Sequence, residues 1–209
     1  MNRNINPSSI KNDAPLRRAV FLDRDGTINI EKKYLHKIED FEFISGAPEA
    51  IKKLKDAGFL VIVVSNQSGI ARGYFDEQAV MMLHQHIQTL LKSYGTVIDA
   101  FYFCPHHPEE GLGDYKIDCD CRKGNPGMLL QAAKEYDIDL QNSFMVGDKL
   151  ADIVVGERVG CKSLLVLTGY GSITALKPEA EVVEKCMDLG SAARLIVENM
   201  KMPMNSEKV

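Results

Sequence analysis

Short unbroken apolar runs alternate along this chain with longer stretches in which apolar residues recur every three or four positions. Ala19 to Leu22 (AVFL) is too short and too apolar for a surface helix, and Gly26 breaks the pattern soon after, so it predicts a buried strand. Ala47 to Ala57 has helical spacing and stops at Gly58. Phe59 to Val64 is a β-branched run, read as a second strand. Glu77 to Tyr94 is an amphipathic helix closed by Gly95, and Ile98 to Phe103 is a third strand. The same reading places a helix over Gly127 to Tyr136, a strand over Phe144 to Val146, a helix over Leu150 to Val159 and a strand over Ser163 to Leu167. Glu181 to Met200 has room for one more strand and a terminal helix. Strands alternating with helices at these lengths predict an α/β fold, a doubly wound parallel sheet with helices on both faces.

Composition narrows the picture. The 209 residues, 45% of them hydrophobic, fit a single packed domain, with no repeats and no apolar run approaching a membrane span. Residues 1–18 are polar, contain two prolines and lack a signal peptide's apolar segment, so they predict a flexible arm. Residues 19–201 form the expected domain and 202–209 a tail. A net charge of −4 gives no electrostatic case for nucleic-acid or membrane binding. Five cysteines without an export signal predict a cytoplasmic protein whose thiols are free or metal-bound.

Four places carry candidate chemistry. Asp23 and Asp25 stand two residues apart at the edge of the first strand, where ligands bind in open α/β sheets. Like charges so close need a cation or a proton between them, which suggests Mg²⁺ on one carboxylate and a proton shuttle on the other. The loop 104–125 has no periodicity, and stretches of that length are usually functional. It contains Cys104-Pro-His106-His107 and Cys119-Asp-Cys121, the ligand types and spacing of a structural Zn²⁺ site. His107 competes with His106 as fourth ligand, and the sequence leans toward His106. Ser65-Asn66-Gln67-Ser68-Gly69 follows the second strand, where a hydroxyl and backbone amides suit phosphate oxygens. Arg122-Lys123 directly follows Cys121, so a metal clamp would fix two cations. Asp148, in Gly147-Asp148-Lys149 with Asp152 four residues on, is either a helix N-cap or a third acidic group at Mg²⁺. Cys161 and Cys186 are isolated among apolar residues and read as core.

These strings resemble the haloacid dehalogenase-like phosphatases, whose four motifs align with Asp23-Arg24-Asp25-Gly26-Thr27, Ser65-Asn66, Lys123 and Gly147-Asp148. FLDRDGTIN, SNQSGIARG, CPHHP, CDCRK and GDK, in that order, resemble the heptose-bisphosphate phosphatase subfamily, over about Ala19 to Gly171. The resemblance implies a Rossmann-like sheet with no large cap domain, the zinc-binding loop insertion acting as a small lid. It implies Mg²⁺ at Asp23, at the Asp25 main chain and at Asp148, with Zn²⁺ as the second metal cofactor. Ser65 and Lys123 would stabilise the phosphoryl group and Arg122 would aid recognition. Ser65, Asn66, Gln67, Ser68, Lys149 and the loop Glu31 to Tyr34 would line the substrate site. Two departures stand out: Gly124 where the subfamily usually has proline, which would loosen that turn, and Lys33 where it often has glycine. The chemistry expected is phosphoryl transfer to Asp23, with Asp25 as general acid and then base. The expected molecule is a monomer acting on a small sugar phosphate. The rival substrate is histidinol phosphate. A receiver domain is disfavoured because its phosphorylated aspartate should end the third strand, where Phe103-Cys104 stands.

Overall fold

The computed structural model describes residues 15–201. Its strands are β1 (Ala19–Leu22), β2 (Leu60–Asn66), β3 (Ala100–Cys104), β4 (Phe144–Gly147), β5 (Lys162–Val166) and β6 (Glu184–Cys186). They form one six-stranded sheet of order β3-β2-β1-β4-β5-β6, every pairing parallel. The helices are α1 (Ala47–Asp56), α2 (Ser68–Ala71), α3 (Glu77–Ser93), α4 (Gly127–Tyr136), α5 (Leu150–Arg158), α6 (Gly171–Thr174) and α7 (Leu189–Lys201). The predicted elements are all present, with boundaries within two residues. The four-residue helices α2 and α6 were not predicted, because a single turn carries no measurable period.

Strand alternation builds two cores from one sheet. Val20, Leu22, Val61 and Val63 face α1, α3 and α7, packing on Ile51, Leu54, Leu83, Ile87 and Ile196. Ala19, Phe21, Leu60, Ile62 and Val64 face the other way, onto Met128, Leu129 and Ala132 of α4 and Val155 of α5. A one-residue slip would exchange the two sets, so this packing pins the register. Asp76 caps α3, its carboxylate accepting from Ala79 N at 2.8 Å. Cys161 and Cys186 lie buried in these cores, as expected.

Arg17 and Arg18, expected in the arm, are tied to the domain instead. Arg17 N donates to Asp137 O, its carbonyl accepts from Asp139 N, and Leu60 N donates to Arg18 O. The rest of the expected arm, 1–14, and the tail, 202–209, lie outside the described residues. No helix among the described residues is long and apolar enough to cross a membrane.

The chain leaves β1 in one direction toward β2 and returns in the other through β4. Such a reversal of strand order opens a crevice at the strands' carboxyl ends. The loops after β1, β2, β3 and β4 all meet there.

Candidate active site

Asp23 follows β1 directly, and its N–H donates to Val146 O of β4 at 2.9 Å, so the sheet holds this residue up to its last atom. The residue is 3% exposed, and its carboxylate lies 2.6 Å from Lys123 Nζ. Lys123 Nζ also lies 2.7 Å from Asp152 Oδ1, so one buried ammonium bridges two buried carboxylates. Burial alone would lower the Lys123 pKa, but Asp152 and Asp23 outweigh it and hold the group above its ordinary value. Asn66 fixes the lysine's backbone, its Oδ1 accepting from Lys123 N at 2.8 Å. Asp23 Oδ1 also accepts from Arg24 N, while Oδ2 accepts no hydrogen bond among the described residues.

Asp25 occupies a different environment. Burial raises its pKa, but the adjoining Arg24 guanidinium and hydrogen bonds from Asn29 and Gln67 reverse the sign and leave it lowered. Arg24 is fully buried and grips both carboxylate oxygens, with Nη2 at 3.0 Å from Oδ1 and 2.9 Å from Oδ2. Gln67 Nε2 donates to Asp25 Oδ2 at 3.1 Å and to Ser65 Oγ at 2.6 Å, linking the first and second loops.

Asp148 is not the helix N-cap. That position belongs to Lys149, whose N–H donates to Asp152 Oδ2 at 3.0 Å, so Asp152 caps α5 with one oxygen and holds Lys123 with the other. Asp148 Oδ2 accepts from Tyr170 N at 2.7 Å, whereas its Oδ1 is buried without a hydrogen-bond partner. Burial, then the Asp23 carboxylate, pushes Asp148 up to about 7. A buried acceptor without a donor, beside a second carboxylate, suits a hard divalent cation. Carboxylate oxygens of Asp23, Asp148 and Asp152 lie within 4.8 Å of one another. With both Asp152 oxygens engaged, Asp23 and Asp148 are the pair left to hold it. Gly26, at φ +84, lets the chain pass here, since a Cβ on it would collide with the Asp148 carboxylate.

The second cluster brings together Cys104, His106, Cys119 and Cys121. Sulfur–sulfur distances are 3.5 Å (Cys104–Cys119) and 3.2 Å (Cys119–Cys121), and His106 Nδ1 lies 3.3, 3.4 and 3.8 Å from the three sulfurs. Tetrahedral Zn²⁺ with bonds of about 2.3 Å to sulfur sets sulfurs about 3.8 Å apart, so the donor set fits that ion. His107 takes no part: its Nδ1 accepts from Glu109 N and Glu110 N. Burial pushes the Cys104 and Cys121 thiols up, a direction that a bound cation reverses. Cys104 pairs with Asn66 in the sheet, so this cluster abuts the second loop.

A cavity of about 590 Å³ opens beside Asp25. Asp25, Glu31, Tyr34, Asn66, Gln67, Ser68, Arg122, Lys123 and Lys149, all named from the sequence, line it. Ser65 does not; it is 1% exposed and lies beneath Gln67. Lys33, within the expected loop Glu31 to Tyr34, and Gly69, at the end of the expected phosphate loop, line it too, whereas Ala151 and Tyr170 were not foreseen. Nor were the roles of Arg24 and Asp152. A charged residue between two aspartates, and an acid one helical turn beyond Asp148, were the available signals. The turn after Lys123 is not loose. Gly124 has φ +104, which proline cannot adopt, and Arg158 donates to Gly124 O and, at 3.1 Å, to Asn125 Oδ1.

The HAD-hydrolase-like family model matches residues 120–190. A Haemophilus ducreyi protein named D-glycero-beta-D-manno-heptose-1,7-bisphosphate 7-phosphatase is 48% identical over 169 residues, 80% of this chain and 92% of that one. An Escherichia coli K12 protein of the same name is 47% identical over 165 residues, 78% of this chain and 84% of that one. The solved structure of D,D-heptose 1,7-bisphosphate phosphatase from B. bronchiseptica, complexed with magnesium and phosphate, matches with a TM-score of 0.78 at 34% identity. It covers 87% of this chain and 99% of that one. Fold, carboxylate arrangement and near full-length similarity agree: the chain is a phosphatase and belongs to the haloacid dehalogenase-like family, among the heptose-bisphosphate phosphatases.

Proposed function

We propose that this chain removes the 7-phosphate of D-glycero-beta-D-manno-heptose 1,7-bisphosphate through an aspartyl-phosphate intermediate, as a cytoplasmic monomer in nucleotide-activated heptose biosynthesis. The observation that carries the chemistry is Asp23 braced by Lys123 at 2.6 Å, with Lys123 and Asp25 both lining the cavity. The sugar and the anomer come from the names of the relatives.

Asp23 Oδ2 attacks phosphorus while the bond to the sugar O7 breaks, and Asp25 gives its proton to that oxygen. Water then attacks the acyl phosphate, Asp25 takes its proton, and the phosphorus–Asp23 bond breaks to release inorganic phosphate. The lowered pKa of Asp25 suits the second half. A phosphoryl anion brought beside it favours the protonated form that the first half needs. Lys123 and the amides of the loop at Ser65 offset charge on the phosphoryl oxygens. Mg²⁺ held by Asp23, Asp148 and the Asp25 main-chain carbonyl would supply further charge stabilisation when bound. Zn²⁺ on Cys104, His106, Cys119 and Cys121 would hold the loop that ends in Arg122 and Lys123. Glu31, Tyr34, Asn66, Gln67, Ser68, Arg122 and Lys149 surround the sugar.

The test is steady-state phosphate release from both heptose bisphosphate anomers and from histidinol phosphate. The beta anomer should lead in kcat/KM, by about tenfold or more over histidinol phosphate. Faster turnover of histidinol phosphate would replace this reading with that one.

A further inference from the structure

Two of the four cations lining the cavity are already spent on carboxylates. Lys123 is shared between Asp23 and Asp152, and Lys149 is paired with Glu31 at 3.2 Å, with Asp148 at 3.6 Å. Arg122 donates to a neutral acceptor, His106 O, at 2.9 Å. Lys33 lines the cavity and makes no ion pair among the described residues. Glu31, its nearest acidic neighbour along the chain, is engaged on both oxygens: Oε1 accepts from Lys33 N at 2.8 Å, and Oε2 faces Lys149.

Lys33 also sits where a side chain is disfavoured. Its φ is +46 and that of Tyr34 is +53, two successive residues in the left-handed region that favours glycine. The surroundings enforce this bend. Glu31 holds the Lys33 amide, His36 Nδ1 lies 2.9 Å from Tyr34 O, and the Tyr34 ring packs edge-on against Tyr74 at 5.0 Å. Backbone strain kept at a cavity mouth by its neighbours is a pointer to function. Here the strained residue is the one that adds an uncommitted ammonium to the cavity.

We propose that Lys33 is a specificity-determining residue whose ammonium, together with Arg122, binds the phosphate of the substrate that is not cleaved. The inference rests on the bisphosphate reading above. A phosphate monoester has its second pKa at about 6, so the uncleaved group is chiefly a dianion at neutral pH. Two cations without carboxylate partners match that charge. Lysine serves as a compact point charge on a long, flexible stem.

Lys33→Gly, Lys33→Met and Lys33→Arg test this, with kcat and KM measured on heptose bisphosphate and on p-nitrophenyl phosphate, which has no second phosphate. Glycine and methionine should each lower the bisphosphate-to-aryl ratio of kcat/KM about five- to tenfold, mainly through KM for the bisphosphate. Arginine should keep the ratio. Lys33→Gly relieves the strained backbone, so its thermal midpoint should not fall, which separates lost recognition from misfolding. A ratio within twofold of wild type for both glycine and methionine overturns the inference while leaving the bisphosphatase reading intact. A wild-type protein that releases no phosphate from the bisphosphate overturns both.

Discussion

Asp23 and Asp25 are two residues apart, yet their partners differ in kind: Asp23 meets an ammonium that a second carboxylate shares, Asp25 a guanidinium and two amides. The first arrangement leaves one oxygen without a hydrogen bond among the described residues, as the proposed attack requires, and the second holds a carboxylate at the cavity. Asp23→Asn should therefore abolish turnover, because an amide forms no acyl phosphate. Asp25→Asn should keep Mg²⁺ binding through its main chain and lose about 10²- to 10⁴-fold in kcat. Near wild-type turnover in Asp23→Asn would end the covalent mechanism. His84 offers a different residue-scale test. It stacks on Phe101 at 4.4 Å, and burial, then the Arg24 guanidinium, push it down to about 3 despite the opposing pull of Asp25. A histidine depressed on folding binds its proton more readily in the unfolded chain, so stability falls as pH drops from about 6.5 toward 3. At pH 5 the loss from this residue is about 2 kcal/mol, at 1.36 kcal/mol per pH unit below 6.5. Denaturant unfolding at pH 7.5 and pH 5 should show a drop smaller by that amount in His84→Phe. Equal drops would mean that folded His84 titrates normally.

Among the elements, the loop between β3 and α4 is the one whose order we attribute to a metal. Its polar residues bury little, but its ends are fastened: Gln67 N donates to Cys104 O, Asn66 clamps Lys123, and Asn125 Nδ2 donates to Cys119 O at 3.0 Å. Structural zinc in small peptides contributes roughly 10–16 kcal/mol of apparent binding energy. Here the sheet has its own two-faced core, so losing the metal should disorder the loop before the domain unfolds. Cys119→Ser should lower phosphatase activity steeply, because Arg122 and Lys123 follow Cys121 in the chain. Its main calorimetric transition should persist. Full activity in that variant would make the loop peripheral to catalysis.

At the scale of the whole molecule, the two proposed metal sites sit on different parts of the sheet. The carboxylates gather where β1 and β4 part, while the thiols hang from the edge strand β3. Lys123 connects them, reaching from the thiol loop to Asp23. The two ions should then separate in exchange experiments. Dialysis against EDTA followed by Mg²⁺ should restore activity, with about one zinc per chain retained on three thiolates by elemental analysis. Zinc absent from protein purified without chelator, with Cys104 and Cys119 freely alkylated, would remove that ion from the mechanism.

The sequence by itself determined the elements and the inventory of chemistry. Buried strands declare themselves as β-branched runs and helices by their period, because each pattern records which face its own segment must bury. Asp23, Asp25 and the cysteine cluster stand out as candidates for a similar reason, since each sets chemistry-bearing residues at short spacing, whereas the letters leave Asp148 between a helix cap and a metal ligand. Tertiary structure decided what joins segments distant in the chain. Strand order, and with it the crevice, follows from packing both faces of one sheet. The bridge Asp23–Lys123–Asp152 draws on three separate segments, and nothing local to Asp152 tells helix capping from holding a lysine, so it does both. His106 and His107 are neighbours of identical type, and only the position of the three sulfurs separates them. Resemblance places Lys33 in the substrate loop, but its left-handed backbone and its lack of an ion pair among the described residues appear only in the fold, a property of the loop's fastenings rather than of its letters.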